Sequence, residues 1–295
     1  MIFHLCDEKE WIKALGTGTY APISLGSEGF IHFSSYGQLF ATANNLYSHF
    51  DKMVVLAVEN NLLGPKHLKW EGLDGLEFPH VYKPLHIDDV FKVLAIAKNS
   101  DGKFISNKEI ERWAKSICFE TDRLILREFD LNDFNDVQEY AGDPANLEYM
   151  VWGPNSKIDT RRFFSRVFKW QAQDPRDEFH FVVVEKVTNK AIGACNLSVE
   201  DIDASTGNLG YIIRKDRQGK GYATELSKKL LDFGFSTLKL EKMEATCDER
   251  NLASYRVMEK IGLRKEMVLE NDRTPNGKTR NTVICSVLRD KFFEN

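Results

Sequence analysis

The chain contains no C-x-x-C pair, no apolar run approaching the ~18–20 residues that a membrane-spanning helix requires, and no excess of basic residues. Each absence excludes something. Cys6, Cys118, Cys195, Cys247 and Cys285 are odd in number and far apart, which predicts free thiols in a reducing cytoplasm rather than bridges or zinc ligands. A net charge of -4 gives no electrostatic footprint for nucleic acid. The start, Met1-Ile2-Phe3-His4-Leu5-Cys6-Asp7, has no basic leader and does not read as a secretory signal. The expectation is a cytoplasmic chain with no nucleic-acid or membrane partner; the sequence does not disclose an oligomeric state.

At 295 residues, the chain exceeds the ~100–200 residues usual for one domain. Histidine is unevenly spread: six of seven precede residue 100, and only His180 follows. The polar stretch Asn99-Ser100-Asp101-Gly102-Lys103 reads as a surface connection. These features predict a small α+β domain over residues 1–100, a linker over 101–119 and a second domain over 120–295.

In the first domain, Met53–Val58 and Val90–Ile96 read as strands and Gln38–Tyr47 as a helix. Asn107 is placed to cap a short helix through Trp113. In the second, Arg123–Phe129 reads as a strand, followed by a helix capped by Asp130 and a longer helix over Ile158–Gln173. Strands are expected at Phe179–Glu185, Ala191–Val199, Asn208–Ile213 and Lys242–Cys247. Ala223, Leu226, Leu230 and Phe233 recur at helical spacing from Tyr222 to about Leu238. Leu252–Ile261 reads as a further helix, and Arg264–Glu270 is expected to pair with Thr282–Leu288 across Pro275-Asn276-Gly277.

The chemistry concentrates in Gln218-Gly219-Lys220-Gly221-Tyr222-Ala223, between a strand ending at Ile213 and an immediate helix. Helix-start N–H groups lack internal partners and the helix dipole favours negative charge there, so this is an anion site suited to a pyrophosphate. The glycines remove side chains that would hold a phosphate off the backbone. Neither the nucleotide P-loop pattern nor G-x-G-x-x-G is present.

Gln218-x-x-Gly221-x-Ala223 resembles the Q/R-x-x-G-x-G/A element of the GNAT N-acetyltransferase superfamily, and Gly219 to Glu225 resembles its ribosomal-protein-alanine acetyltransferase branch. Three further stretches match in order: Thr121 to Arg127, Gly210-Tyr211-Ile212-Ile213, and Asn251-x-x-Ser254-x-x-Val257 to Leu263. The resemblance implies a mixed, mostly antiparallel and splayed sheet with flanking helices. It implies acetyl-CoA as co-substrate, with Ile213 beside the pantetheine, Gln218, Gly219, Lys220, Gly221, Tyr222 and Ala223 around the pyrophosphate, and Asn251 and Ser254 along the pantetheine arm. Asn251 equally suits a helix N-cap.

Acetyl transfer to a neutral amine needs a base, an oxyanion donor and a proton for the leaving thiolate. The resemblance places the oxyanion at a backbone N–H near Ile213. Many members carry an acidic tyrosine seven residues after the asparagine, where this chain has Met258. Tyr255 is out of register for that role. Ser254 is the candidate proton donor, and His180, Glu200 or a carboxylate holding a water chain are candidate bases. Tyr149 to Pro154 is a candidate lining of the acceptor pocket, or simply packing.

In the first domain, Glu28 to Ser35 and Phe78 to Leu85, with His4 and Trp11, resemble a bacterial family called domain of unknown function 952. That family is grouped with an ADP-ribosyltransferase-like fold, which implies a pocket for NAD or another nucleotide; Lys83 stands where a glycine is usual. His32 and His80 are its candidate site, as a ligand pair, as an acid–base pair or as buried histidines tied to backbone carbonyls, and no metal spacing accompanies them. The leading expectation is an N-acetyltransferase acting on a primary amine, either a peptide N-terminus or a small molecule. The alternatives are an acyl-CoA-binding sensor with an inactive transferase domain, and nucleotide chemistry at His32 and His80.

Overall fold

The computed structural model describes every residue except Ile202, Asp203, Ala204, Pro275, Asn276, Lys278 and Asn295. It divides into two compact units. One comprises Met1–Ser116, Phe129–Asn132 and Arg161–Arg176, and the other Ile117–Glu128, Asp133–Thr160 and Asp177–Asn295. Among the described residues, no helix is long and apolar enough to cross a membrane.

The first unit runs β1 (Ile2–Cys6), α1 (Glu8–Thr17), β2 (Thr19–Tyr20), α2 (Ile23–Ser27), β3 (Ile31–His32), α3 (Tyr36–Leu46), β4 (Lys52–Val58), α4 (Asn60–Leu63), β5 (Leu68–Glu71), β6 (Phe78–Val81), β7 (Leu85–His86), β8 (Val90–Ala97) and α5 (Lys108–Trp113). Strand β4 lies between β1 and β8, both antiparallel to it, and β6 lies between β3 and β5. Paired hydrogen bonds between Phe3 and Ser34 join the two sheets. As its sequence indicates, Asn107 caps α5 by accepting from the amides of Glu109 and Ile110. At the start of helix α3, Gln38 Oε1 accepts from the Ser35 amide at 3.0 Å, and the Gln38 amide donates to the Ser35 backbone carbonyl at 3.2 Å.

The second unit runs β9 (Cys118–Glu120), β10 (Leu124–Glu128), α6 (Phe134–Ala141), α7 (Lys157–Ala172, whose later turns belong to the first unit), β11 (Glu178–Glu185), β12 (Lys190–Asp201), β13 (Thr206–Ile213), α8 (Tyr222–Asp232), β14 (Lys242–Asp248), α9 (Leu252–Lys260), β15 (Arg264–Arg273), β16 (Thr279–Leu288) and α10 (Arg289–Phe293). Its eight-stranded sheet has the order β15-β16-β14-β13-β12-β11-β10-β9 and is antiparallel except at β13–β14. The core joins one face of this sheet to α8 and α9 through Leu126, Phe181, Leu209, Leu226, Leu230 and Met258.

Three local readings change. Asp130 accepts from the Asn132 amide, but a 3-10 turn over Leu131–Asp133 precedes α6, so the α-helix starts later than the cap suggested. Helix α8 is regular only to Asp232 and then widens into a π-helical turn, Phe233–Thr237, as Phe233, Gly234 and Phe235 enter the core. The β15–β16 pairing is as expected, but Pro275 and Asn276 of its connection lie outside the described residues.

The sheet is splayed at one seam. Parallel pairing of β13 with β14 is confined to Thr206–Lys242, Gly207–Met243 and Asn208–Glu244. Beyond Asn208, β13 continues only with β12, while β14 continues with β16 as far as Asp248. At the apex, Glu241 N–H donates to the Ser205 carbonyl at 2.8 Å. A Cβ on Gly207 would meet Leu240 Cδ1 at 2.6 Å and the Ser198 carbonyl at 3.2 Å, so glycine permits the close approach there.

In the first unit, a Cβ on Gly37 would lie 2.4 Å from the Phe129 carbonyl oxygen and 2.6 Å from Phe168. Gly37→Ala is therefore expected to lower stability by roughly 1–3 kcal/mol through overpacking. Urea unfolding should show a lower midpoint at unchanged slope; an unchanged midpoint would contradict this packing.

Candidate functional site

Backbone groups alternate in direction along a strand, which determines what β13 offers to the gap. Arg214 N–H donates to the Ile192 carbonyl on β12 at 2.8 Å, so Gly210 and Ile212 face β12 and Leu209, Tyr211 and Ile213 face the seam. Among the described residues, no strand pairs with these three on that side. They form an open ladder edge, able to pair with a ligand's amides. Gln218 Nε2 donates to the Ile213 carbonyl at 2.9 Å and ties the loop to the end of that edge.

The loop bends where its glycines stand. Gly219 has φ 74° and Gly221 has φ 81°, both in the left-handed region, and nothing lies within 4 Å of a Cβ built on Gly219. Gly221 is the N-cap of α8 and no side chain caps this end. The Tyr222, Ala223 and Thr224 amides are thus first-turn donors without an intrahelical acceptor, and the helix dipole adds partial positive charge. Residues and backbone fit a pyrophosphate.

Side chains flanking the loop hold it from below. Glu225 accepts from Thr121 Oγ1 at 2.5 Å, Arg123 N–H at 2.9 Å and Arg123 Nε at 2.7 Å, while Arg123 Nη1 donates to the Lys220 carbonyl at 2.8 Å. The Arg123 guanidinium also lies over the Tyr222 ring, 4.5 Å from its centroid. Tyr222 Oη donates to Glu185 Oε1 at 2.7 Å, so its side chain braces the loop and only its backbone amide faces the anion site. The Lys220 side chain is exposed.

Across the seam, Asn251 caps α9 by accepting from the Ser254 amide at 3.1 Å. Ser254 Oγ shares a 3.1 Å hydrogen bond with Tyr211 Oη on β13. This hydroxyl pair joins the two sides of the gap. Met258, seven residues after Asn251, is buried in the core at 1% exposure and offers no proton donor. Tyr211 was visible in the sequence only as part of a backbone motif; its partner is 43 residues away, and no local pattern announces the bond.

The candidate bases lie on one face of the sheet. His180 is opposite Asn196, which is opposite Gly210, placing His180 two strands, about 10 Å, from β13. Its Nε2 is 3.1 Å from Glu178 Oε2. Glu178, Ser198, Asn208 and Glu244 form the adjoining cross-strand row. Burial, then the Glu244 and Glu178 charges, raise the Glu200 carboxyl above its ordinary range. Among the Tyr149–Pro154 residues, the Tyr149 carbonyl accepts from Arg280 Nη1 at 3.2 Å.

In the first unit, His32 and His80 stand opposite each other on β3 and β6, their rings nearly perpendicular at 5.2 Å. His32 Nε2 is 3.1 Å from Glu28, and His80 Nδ1 is 3.5 Å from Glu71, which also accepts from Tyr82 Oη. Phe30 stacks on His80 at 4.0 Å. Burial, then the His32 charge, lower the His80 pKa. The buried histidine tied to a carbonyl is His4, whose Nδ1 donates to the His32 carbonyl at 2.6 Å. Lys83, at the expected glycine position, pairs with Asp89 at 3.1 Å. Among the described residues, no cluster suited to a metal ion occurs.

A splayed mixed sheet whose open edge leads to an uncapped, glycine-started helix has backbone donors suited to an extended, amide-bearing ligand that ends in an anion. Residues 123–264 match the family model Acetyltransferase (GNAT) domain. The chain is 31% identical over 146 residues to "Uncharacterized N-acetyltransferase YnaD" of Bacillus subtilis, covering 50% of this chain and 82% of that protein. It therefore belongs to the GNAT acetyltransferase family, whose acyl donor is acetyl-CoA. A GNAT-family acetyltransferase structure from Bacillus anthracis superposes with TM-score 0.52 at 28% identity, over 59% of this chain and 99% of that one. Spermidine N-acetyltransferase from Vibrio cholerae, solved with CoA and spermine, shares the fold at TM-score 0.51 and 22% identity, over 59% and 99% of the two chains. Residues 5–93 match Protein of unknown function (DUF952).

The Glu225 bonds make a stability prediction. Burial opposes its charge, but hydrogen bonds from Thr121 and Arg123 and the Arg123 charge outweigh this and hold its pKa below the ordinary carboxylate range. A depressed folded pKa stabilises fully above the unfolded value of about 4.3, and that contribution is lost as pH falls through the folded value. Glu225→Gln is expected to cost ~1–3 kcal/mol at pH 7, with the difference from the parent shrinking below about pH 4. A difference independent of pH would show that the carboxylate charge is not what holds the loop.

Proposed function

We propose that residues 120–295 catalyse acetyl transfer from acetyl-CoA to a primary amine. The observation that carries this reading is the adjacency of the open Leu209–Ile213 edge to the uncapped start of α8. In this reading, the Tyr222, Ala223 and Thr224 amides hold the pyrophosphate, assisted by the turn Gln218-Gly219-Lys220-Gly221. The seam-facing edge ending at Ile213 pairs with the pantetheine amides, and the oxyanion takes a backbone N–H there. Asn251 spends Oδ1 on its cap and offers Nδ2 to the pantetheine.

The acceptor arrives as a cation and must lose a proton before it attacks. Glu178, Glu200 and Glu244 favour a cationic approach along one sheet face, although Lys242 neutralises part of Glu244 at 2.7 Å. His180, oriented by Glu178, is too distant from β13 for direct contact with an amine at the thioester, so it would take the proton through water. A peptide N-terminus is supported by the likeness of Gly219 to Glu225 to the ribosomal-protein-alanine branch. A small polyamine is the second acceptor class, supported by this carboxylate row. Ser254 donates toward the leaving thiolate.

Isothermal calorimetry of the full chain with acetyl-CoA should show binding that Gly221→Glu weakens at least tenfold, because the substitution adds charge at the anion site and strains a φ of 81°. Thiol release with an alanine-initiated peptide or spermidine should accompany it. Undiminished binding by the variant would remove the pyrophosphate assignment, and binding without thiol release across a broad amine and peptide panel would favour the sensor alternative.

A further inference from the structure

Resting on that reading, we infer that Tyr211 and Ser254 act as a two-hydroxyl proton relay that replaces the single tyrosine acid missing at Met258. Ser254 Oγ and Tyr211 Oη are 3.1 Å apart across the seam. One belongs to the first turn of α9 and the other to the open edge of β13, two residues, roughly 7 Å along the strand, before Ile213. The proposed thioester position therefore has the hydroxyl pair on its flank and the backbone donor at its end.

The chemistry explains why serine alone is insufficient. When the tetrahedral adduct collapses, the carbon–sulfur bond breaks and its electron pair goes to sulfur. An aliphatic hydroxyl is a far weaker acid than a thiol, so Ser254 delivers its proton only if it receives another in the same event. Tyr211 supplies it: the phenol proton moves to Ser254 Oγ as the Ser254 proton moves to sulfur. The tyrosinate then regains a proton from solvent, while the proton of the attacking amine leaves separately toward the His180 side. No net charge accumulates on serine.

Tyr211 is fit to remain a donor. Burial pushes its phenol up to about 12, with the Ser254 bond pulling it back in part, so it is protonated throughout the neutral range. Tyr255 does not share this placement: it lies one residue past Ser254, burial and then the Glu259 charge raise its phenol, and it packs beside the core. Asn251 locks the first turn of α9 through the Ser254 amide and fixes the height of the Ser254 hydroxyl above the seam.

The relay makes Tyr211 a positioning residue acting through Ser254, and it can be tested without knowing the acceptor. Coenzyme A is bound to the full-length protein, and its thiol is titrated by the ultraviolet absorbance of the thiolate, in the parent, Tyr211→Phe, Ser254→Ala and the double variant. Hydrogen-bond donation to a thiolate favours the charged form, so in the parent the bound thiol should titrate below free coenzyme A in the same buffer. Either single substitution should raise it by about one unit, a tenfold change in acid constant, and the double variant should add little to either single one. A urea midpoint near the parent's shows that the variants are folded. An unshifted thiol in Tyr211→Phe, or additive shifts in the double variant, overturns the relay while leaving the acyl-CoA reading intact. Absence of CoA binding by the parent overturns both.

Discussion

The open edge of the second unit depends on the short parallel contact between β13 and β14. Among the described residues, three residue pairs hold the strands together. A longer ladder would satisfy the backbone groups of Leu209, Tyr211 and Ile213 internally and leave no edge for a ligand. A shorter one would free β14 to shift away. The balance rests on the Glu241–Ser205 bond, the room left by Gly207 and the full-length pairing of β14 with β16. Unpaired backbone within a sheet is costly unless something satisfies it, so the seam is a built demand for extended, amide-bearing chemistry.

The uncapped start of α8 adds direction to that demand. Its donors belong to the backbone, and the side chains around it are structural: Glu225 gathers Thr121 and Arg123, Glu185 gathers Tyr222, and Gln218 closes on Ile213. Donors fixed this way need little reorganisation when charge arrives. The opposite face has a different character, with carboxylates and His180 in adjoining cross-strand rows, and under the proposed function it receives the acceptor.

Much of this arrangement was legible in the residues. Two glycines before an amphipathic run announced a helix start, and Asn107 announced its own cap, because both effects are local in the chain. The matches at Thr121–Arg127 and Gly219–Glu225 were legible as separate motifs; the structure shows why they occur together, since Thr121 and Arg123 bind Glu225. The Tyr211–Ser254 bond, the distance of His180 from β13 and the Gly37 contacts were not legible, because each arises from register or packing between elements distant in sequence. His32 and His80 were singled out by residue type, and their cross-strand pairing emerged only from the β3–β6 register. The widened turn after Asp232 likewise follows from core packing rather than from helix propensity.

Under the proposed function, one ligand satisfies both the open edge and the uncapped helix start. Amide hydrogen–deuterium exchange with and without coenzyme A tests it most directly. CoA should slow exchange together at the seam-facing Leu209–Ile213 amides and at Tyr222, Ala223 and Thr224. Protection of neither segment, or of the helix start while Leu209–Ile213 exchanges as before, would contradict it.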